Sequence, residues 1–502
     1  MQQEDKATAA RPLEIAVIGA GMSGLFLGYQ LIQAGRPFTI YEKANEVGGT
    51  WRDNTYPGLH VDVVTRRYEF PFFRSRSWSR RYAPGTEIRA YLKKLAKDLD
   101  IERHIVFGTD ITAATWDDGR WRLTTSDGQE IKADVVYAGT GFLREPLLPK
   151  LEGRDSFGGP AFHSARWDHS VDLKGKRIGV IGTGSSGLQI VSELGRQGHD
   201  VTHFCRTPQW VQVKENPRIS MVEKVLLGFP SLGGYWDKRM AKVKVKTDGS
   251  ENWRLRPGPE REEMTRRFLA TLEDEVKDPE LRAKLTPDYA LGCKRVPKSP
   301  DYYRAIQQPN VDIVFGPLTR IEPGGVVDGQ GVRHELDVLV FATGFDSHAY
   351  MRPMELTGVD GVTINELWKD SVFSYRGVGL PSMPNFFLLS GPFAPVNSLA
   401  IPGSLSDECG YLLRLLDVID RDRVALAPTA EVTMKFCGEL AEAAELTTYA
   451  LCDNWYRDRG GTPVLWPWTK AEHGRQYERL DLSEYDSYPL SESRDATTAH
   501  PA

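Results

Sequence analysis

The sequence predicts an α/β protein built from two dinucleotide-binding units, the second interrupted by helices. Three observations predict it. A β-rich run enters a glycine-rich turn that opens a helix at Gly19-Ala20-Gly21-Met22-Ser23-Gly24, and the pattern recurs at Gly182-Thr183-Gly184-Ser185-Ser186-Gly187. Each turn is followed by a second β-rich run, which makes two Rossmann-like strand–turn–helix–strand units. Between Pro217 and Thr286 the composition shifts to charged, helix-patterned segments with few strand signals.

Size and composition agree. A chain of 502 residues with 40% hydrophobic and 26% charged residues is globular and large enough for two to four domains. A net charge of -5 without a long basic run argues against nucleic acid as a partner. No apolar run reaches about 18 residues, so no membrane span is expected. The first twelve residues are polar and lack the apolar core of a signal peptide. Five cysteines, none in a Cys-x-x-Cys pair, exclude a dithiol centre or a clustered zinc site. They read as reduced, small and buried, in a cytoplasmic protein.

Along the chain, Leu13 to Ile18 is the first strand, Leu25 to Ala34 has helical spacing, and Pro37 to Glu42 is the second strand. Glycines let the backbone approach a pyrophosphate at the helix N-terminus, and Glu42 is placed to accept from ribose hydroxyls. In the second unit the strands are Lys176–Ile181 and Val201–Arg206. Matching Gly187 to Gly24 puts Cys205 where Glu42 stood, with Arg206 beside it. The acid that repels a 2′-phosphate is gone and a guanidinium that pairs with one is present. The first site therefore suits FAD or NAD and the second prefers NADP; the competing reading of Arg206 is a solvated surface charge. Helices are expected at 221–229 and 260–276, strands at Val311–Phe315 and Leu336–Phe341, and the last of these ends in Ala342-Thr343-Gly344. Its counterpart is Asp134–Gly141. A core strand at 385–392 and a helix at 406–419 complete the first domain. Between the units, 157–168 has no apolar period and reads as a connector.

That connector carries a likeness. Phe157, Gly159, His163, Trp167 and Asp168 fit FxGxxxHxxxW(P/D), and Gly48-Gly49-Thr50-Trp51 through Tyr56-Pro57-Gly58 to Asp62 fits GGxWxxxxYPGxxxD. With Lys294-Arg295, the chain from Leu13 to about Tyr485 resembles the type I, class B Baeyer–Villiger flavoprotein monooxygenases. The resemblance implies the following organisation: 13–146 and 347–486 form an FAD domain; 147–212 and 289–346 form an NADP domain containing the connector; 213–288 is a helical insertion; 1–12 and 487–502 are flexible.

It also implies a reaction. NADPH reduces FAD, O₂ adds to give a C4a-peroxyflavin, and this inserts one oxygen beside the carbonyl of a hydrophobic ketone to give an ester or lactone. Arg295 is the implied catalytic cation, with Asp62 holding it; the blander fates are a surface salt bridge and a turn cap. FAD contacts carry over to Gly19, Gly21, Ser23, Gly24, Glu42, Thr50, Trp51, Asp62 and Tyr68, and to the backbone of Ile111. NADP contacts carry over to Gly182, Thr183, Gly184, Ser185, Ser186, Gly187, Leu188, Arg206, Thr207 and Lys294. Trp455 resembles a C-terminal loop tryptophan over the nicotinamide, and His163 is expected to make an interdomain hydrogen bond. Aromatic and apolar loops at 68–73, 391–397 and 466–468 are the candidate substrate walls. His60 and Thr65 depart from the family pattern. The alternative chemistry is oxygenation of sulfur or nitrogen, which Trp167-Asp168, Asp62 and Arg295 disfavour.

Overall fold

The structure, a computed structural model, describes residues 11–227, 252–395 and 401–491. Two five-stranded parallel sheets dominate it. In the first, β1 (Ile15–Ile18) lies between β2 (Thr39–Glu42) and β7 (Val135–Ala138), with β3 (Ile105–Phe107) and β17 (Phe386–Leu388) at the edges. In the second, β9 (Arg177–Ile181) lies between β10 (Asp200–Cys205) and β15 (Val338–Phe341), with β11 (Val311–Phe315) and β8 (Ala161–His163) outside. The two sheets repeat one plan, and β7 and β15 occupy matching places in it.

Alternation explains why these short runs are buried on both faces. Ile15 and Val17 enter one core of the first sheet, and Ala16 and Ile18 enter the other. Ile178 and Val180 do the same on one side of the second sheet, where they meet Leu188, Val191 and Leu194 of the helix α5 (Ser185–Arg196). Helix α1 (Met22–Gln33) buries Leu25, Leu27 and Leu31 and packs against the helix Ile401–Asp422. Each such side chain contributes about 1.5–3 kcal/mol by leaving water. The glycine at the end of each motif is dictated by packing. A Cβ on Gly24 would lie 1.9 Å from the Gly19 carbonyl oxygen, and one on Gly187 would lie 2.1 Å from that of Gly182.

Smaller sheets attach to this frame. β4 (Ile111–Asp117), β5 (Arg120–Thr125) and β6 (Glu130–Ala133) form an antiparallel meander, and β16 (Glu355–Thr357) pairs parallel to β4. Helices Met221–Leu227, Asn252–Leu255, Pro259–Glu275 and Pro279–Leu285 separate β10 from β11, where the sequence placed its insertion. The part of the expected 221–229 helix beyond 227 lies outside the described residues. Among the described residues no helix is long and apolar enough to cross a membrane.

Three expectations need correction. The connector is not all loop: Ala161–His163 forms β8 and pairs parallel to Leu339–Phe341. Three residues are too few to show a period, and backbone pairing rather than side-chain pattern holds them. The C-terminal residues are ordered further than 486, because β19 (Tyr485–Pro489) pairs antiparallel with β18 (Val424–Pro428). At the other end Arg11 is tied down, both of its terminal nitrogens lying 2.6 Å from the Asp134 carboxylate.

Candidate active site

A cavity of about 2430 Å³ opens where both parallel sheets end, and both glycine turns face into it. Ligands bind at this edge of open α/β sheets because the helix N-termini and strand-end loops converge there. All the residues assigned to cofactor or catalytic roles line it except Gly24, Gly187 and Leu188. The two glycines face their own turns, as above, and Leu188 is a core residue of α5.

On the first side, Glu42 is buried and well held. Its carboxylate accepts from the N–H of Ala20 at 2.8 Å and of Ala44 at 2.9 Å, and from Arg52 at 2.7 Å. Three of roughly four lone-pair positions are thus occupied, which leaves one for a ligand hydroxyl. Gly49 lets its loop pass close to the first turn: a Cβ there would lie 3.1 Å from the Gly21 Cα. Thr50 and Trp51 start the helix α2 (Thr50–Asp53), and Trp51 donates its indole N–H to the Tyr68 hydroxyl at 3.1 Å. Burial pushes the Tyr68 phenol up to about 12, so it remains a neutral donor.

The central pair comes from segments far apart in the chain. Arg295 Nη2 and Asp62 Oδ2 are 2.5 Å apart. Burial alone would raise the Asp62 carboxyl, but the charges of Arg295 and Lys298 outweigh it and hold it down to about 2. Arg295 in turn is pushed above its ordinary value, first by Asp62, and also hydrogen-bonds the Tyr456 side chain. Lys298 donates to the Asp62 backbone carbonyl at 2.7 Å. The result is a permanently charged guanidinium, half-exposed to the cavity and fixed in direction.

On the second side, Thr183 Oγ1 donates to the Thr207 carbonyl at 3.0 Å, fixing the turn. Arg206 is exposed on the wall. Lys294 is shifted below its ordinary value by burial and then by the nearby positive charge of Arg206. Lys294 and Arg206 thus bring two cations to one wall of the cavity.

The Tyr-Pro-Gly motif joins the two sides. The Tyr56 hydroxyl donates to Gln189 Oε1 at 3.0 Å and accepts from Ser186 Oγ at 3.1 Å, both on α5. Gly58, at φ +80°, sits so close to α5 that a Cβ would lie 2.6 Å from the Gln189 carbonyl oxygen. The departures from the family pattern have local work: His60 Nδ1 bonds the Gly58 carbonyl, and Thr65 links the Arg81 carbonyl to the Ala83 N–H. His163 is buried, its Nδ1 accepts from Ala165 N–H at 3.1 Å, and burial holds its imidazole down to about 4. It caps its own turn, and its ring also meets the Gly344 backbone and lies edge-on to Phe345 with ring centres 5.6 Å apart, at the end of the return strand. Trp167 packs edge-on against Phe162, and Asp168 caps a surface turn through Ser170.

Similarity to known proteins agrees with this geometry. Residues 13–220 match the family model described as flavin-binding monooxygenase-like. An uncharacterized monooxygenase of Mycobacterium tuberculosis is 40% identical over 479 residues, covering 94% of this chain and 95% of its own. A Baeyer–Villiger monooxygenase of Streptomyces coelicolor is 36% identical over 490 residues, covering 94% and 92%. The chain belongs to the flavin-binding monooxygenase family. Among solved structures, cyclohexanone monooxygenase of Rhodococcus sp. Phi1, bound to NADP⁺, superposes with a TM-score of 0.84 at 27% identity, covering 96% and 100%. The OTEMO structure, a complex with FAD and NADP, superposes with a TM-score of 0.85 at 26% identity, covering 95% and 100%.

In this flavin monooxygenase several neighbours of the site were not singled out from sequence. Lys298 lies three residues after Arg295 in an irregular stretch; Gln189 and Tyr456 carried no signal, since their partners come from distant segments, while Arg52 bonds its near neighbours Glu42 and Asp53. Trp455 lines the cavity and lies over Tyr456 with ring centres 4.1 Å apart. Of the expected substrate walls, Tyr68 lines the cavity, while Phe70 is core and Trp466 is buried against Trp468 and His473. Residues 396 and 397 of the 391–397 wall lie outside the described residues. The reading of five reduced cysteines also needs correction. Cys205, Cys409 and Cys437 are free and buried, but Cys293 and Cys452 form a disulfide with Cα atoms 6.0 Å apart. They are 159 residues apart in sequence, so spacing could not reveal the pair.

Proposed function

We propose that this flavin monooxygenase inserts one oxygen atom of O₂ beside the carbonyl of a hydrophobic ketone, giving an ester or lactone, with NADPH as reductant. The observation that carries the reading is Arg295, charged and aimed by Asp62, at the junction of two dinucleotide sites in one cavity. FAD fits the first site: the turn before α1 presents backbone N–H groups, Glu42 keeps a lone pair for a ribose hydroxyl, and Gly21 and Gly49 leave backbone exposed. NADPH fits the second: α5 begins at the second turn, and Arg206 and Lys294 supply a 2′-phosphate subsite. The domain boundaries expected from sequence are part of the same proposal. When bound, the flavin supplies oxygen activation and the nicotinamide supplies electrons.

The chain's own residues then have definite tasks. Arg295 stabilises negative charge as it develops on the substrate carbonyl oxygen, and it needs no reorientation because Asp62 and Tyr456 already hold it. Asp62 stays ionised at working pH and does not move a proton. Trp455, Phe142, Leu143, Phe345 and Met354 line the cavity itself, apolar side chains suited to the carbon skeleton of a ketone. The relatives named as Baeyer–Villiger and cyclohexanone monooxygenases support a ketone substrate. A cytoplasmic location, with its NADPH pool, is part of the same proposal.

The test is a panel of cyclic and aryl ketones and of sulfides, with products and NADPH consumption both measured. Esters or lactones in proportion to NADPH are expected. Sulfoxides without any ester would move the assignment to heteroatom oxygenation.

A further inference from the structure

The disulfide stands at a place no packing argument requires. Cys293 immediately precedes Lys294 and Arg295, and Cys452 immediately precedes the segment Asp453 to Tyr456. Lys294, Arg295, Asp453, Asn454 and Trp455 all line the cavity. The crosslink therefore ties the strip bearing Lys294 and Arg295 to the strip bearing Asp453, Asn454 and Trp455 on the same cavity. Noncovalent ties run alongside: Asn454 Nδ2 is 3.7 Å from Cys293 Sγ and donates to the Tyr449 carbonyl at 2.8 Å and the Cys452 carbonyl at 3.1 Å, and Tyr456 bonds Arg295.

We propose that Cys293–Cys452 is a thiol–disulfide modification site, whose oxidation state sets how firmly the covering segment is held over the NADP(H) subsite. In a reducing compartment the disulfides that do form are usually switching or sensing ones. The two sulfurs differ in the way such a site needs. Cys293 is fully buried, whereas Cys452 is half-buried between the exposed Leu451 and Asp453. A reductant thiolate thus reaches Cys452 Sγ. The S–S bond breaks, a mixed disulfide forms on Cys452, and the electron pair leaves on Cys293 Sγ. The adjacent positive charges of Lys294 and Arg295 and the Asn454 amide stabilise that departing thiolate. The second thiol of a dithiol then displaces Cys452 and closes its own disulfide. Two electrons and two protons pass to the protein, which gains two thiols. The released covering segment keeps its hydrogen bonds and the packing of Tyr456 against Tyr449 and Leu465 but loses its covalent tie.

The inference rests on Lys294 belonging to the NADP(H) subsite. The test uses the FAD-loaded full chain, before and after dithiothreitol. Alkylation of the denatured, unreduced chain should find the three free cysteines, and reduction should raise the number to all five. Reduction should weaken NADP⁺ binding, followed through the flavin spectrum, on the order of five-fold or more, and should speed trypsin cleavage at Arg457 and Arg459. Cys452→Ser should behave as the reduced chain and ignore dithiothreitol. Five alkylated cysteines without reduction would overturn the proposal, as would cleavage rates that do not change on reduction. If NADP⁺ binds neither form, the cofactor assignment fails, while the cleavage rates still decide the redox site.

Discussion

A guanidinium beside a carboxylate keeps its charge across the working pH range, and Arg295 has that partner in Asp62. Removing it should leave flavin binding and its reduction by NADPH intact. Ester formation by Arg295→Ala should fall by about 10²–10³, the usual cost of one donor at a developing oxyanion; unchanged product yield in a turnover assay would reject its role. Arg206 is separable from this. Arg206→Ala should raise the KM for NADPH roughly 10- to 100-fold, the worth of a charge-assisted contact, and change that for NADH little. A third residue matters for stability rather than chemistry. Glu408 is buried; burial lifts its carboxyl to about 7, while its Oε2 accepts from the Ser390 N–H at 2.9 Å. Because the folded value lies above the unfolded one, its contribution is fully present below about pH 4.5 and is lost as pH rises through about 7. Glu408→Gln cannot ionise, so its stability relative to wild type should rise between pH 5 and pH 8.5 by roughly 2–4 kcal/mol. Parallel urea titrations at the two pH values check the sign.

Between elements, the informative contact is the loop bearing Tyr56 and Gly58 against α5. It joins the strand-end loop of one sheet to the first helix of the other, so the two cofactor sites share a wall. Gly58 combines a left-handed backbone with a site where an added Cβ would lie 2.6 Å from the Gln189 carbonyl oxygen, so Gly58→Ala must shift backbone against backbone. A loss of about 1–3 kcal/mol in denaturant unfolding is expected, against about 1 kcal/mol for Tyr56→Phe, which removes hydrogen bonds without moving the loop. Equal small effects would show that the approach is looser than the geometry indicates. The family motif that marks this loop in sequence thus has a packing reason, which periodicity alone does not convey. The same holds for β8: its pairing to β15 was invisible because a three-residue parallel edge strand leaves no pattern.

For the molecule as a whole, two sheets meet across one cavity, so ligand binding and stability are linked. FAD at about 100 times its Kd should stabilise the chain by about 2.7 kcal/mol, and a thermal melt should shift upward by a few degrees. NADP⁺ should add to that shift whenever it binds the FAD-loaded fold, and by the same free energy with and without FAD if the two sites are uncoupled. The sequence by itself determined both strand–turn–helix units, the helical insertion between β10 and β11, and the cavity-lining positions within the glycine turns, because each is set by spacing within a few tens of residues. It also pointed to Asp62 and Arg295, through motif likeness and not through any local pattern. What only the tertiary structure decided are other contacts between distant segments: Asp62 with Lys298, Tyr56 with α5, β18 with β19, and Cys293 with Cys452. Each joins groups whose separation along the chain carries no information about their separation in space. A local pattern reports which face a residue presents, and only the closed fold decides what that face meets.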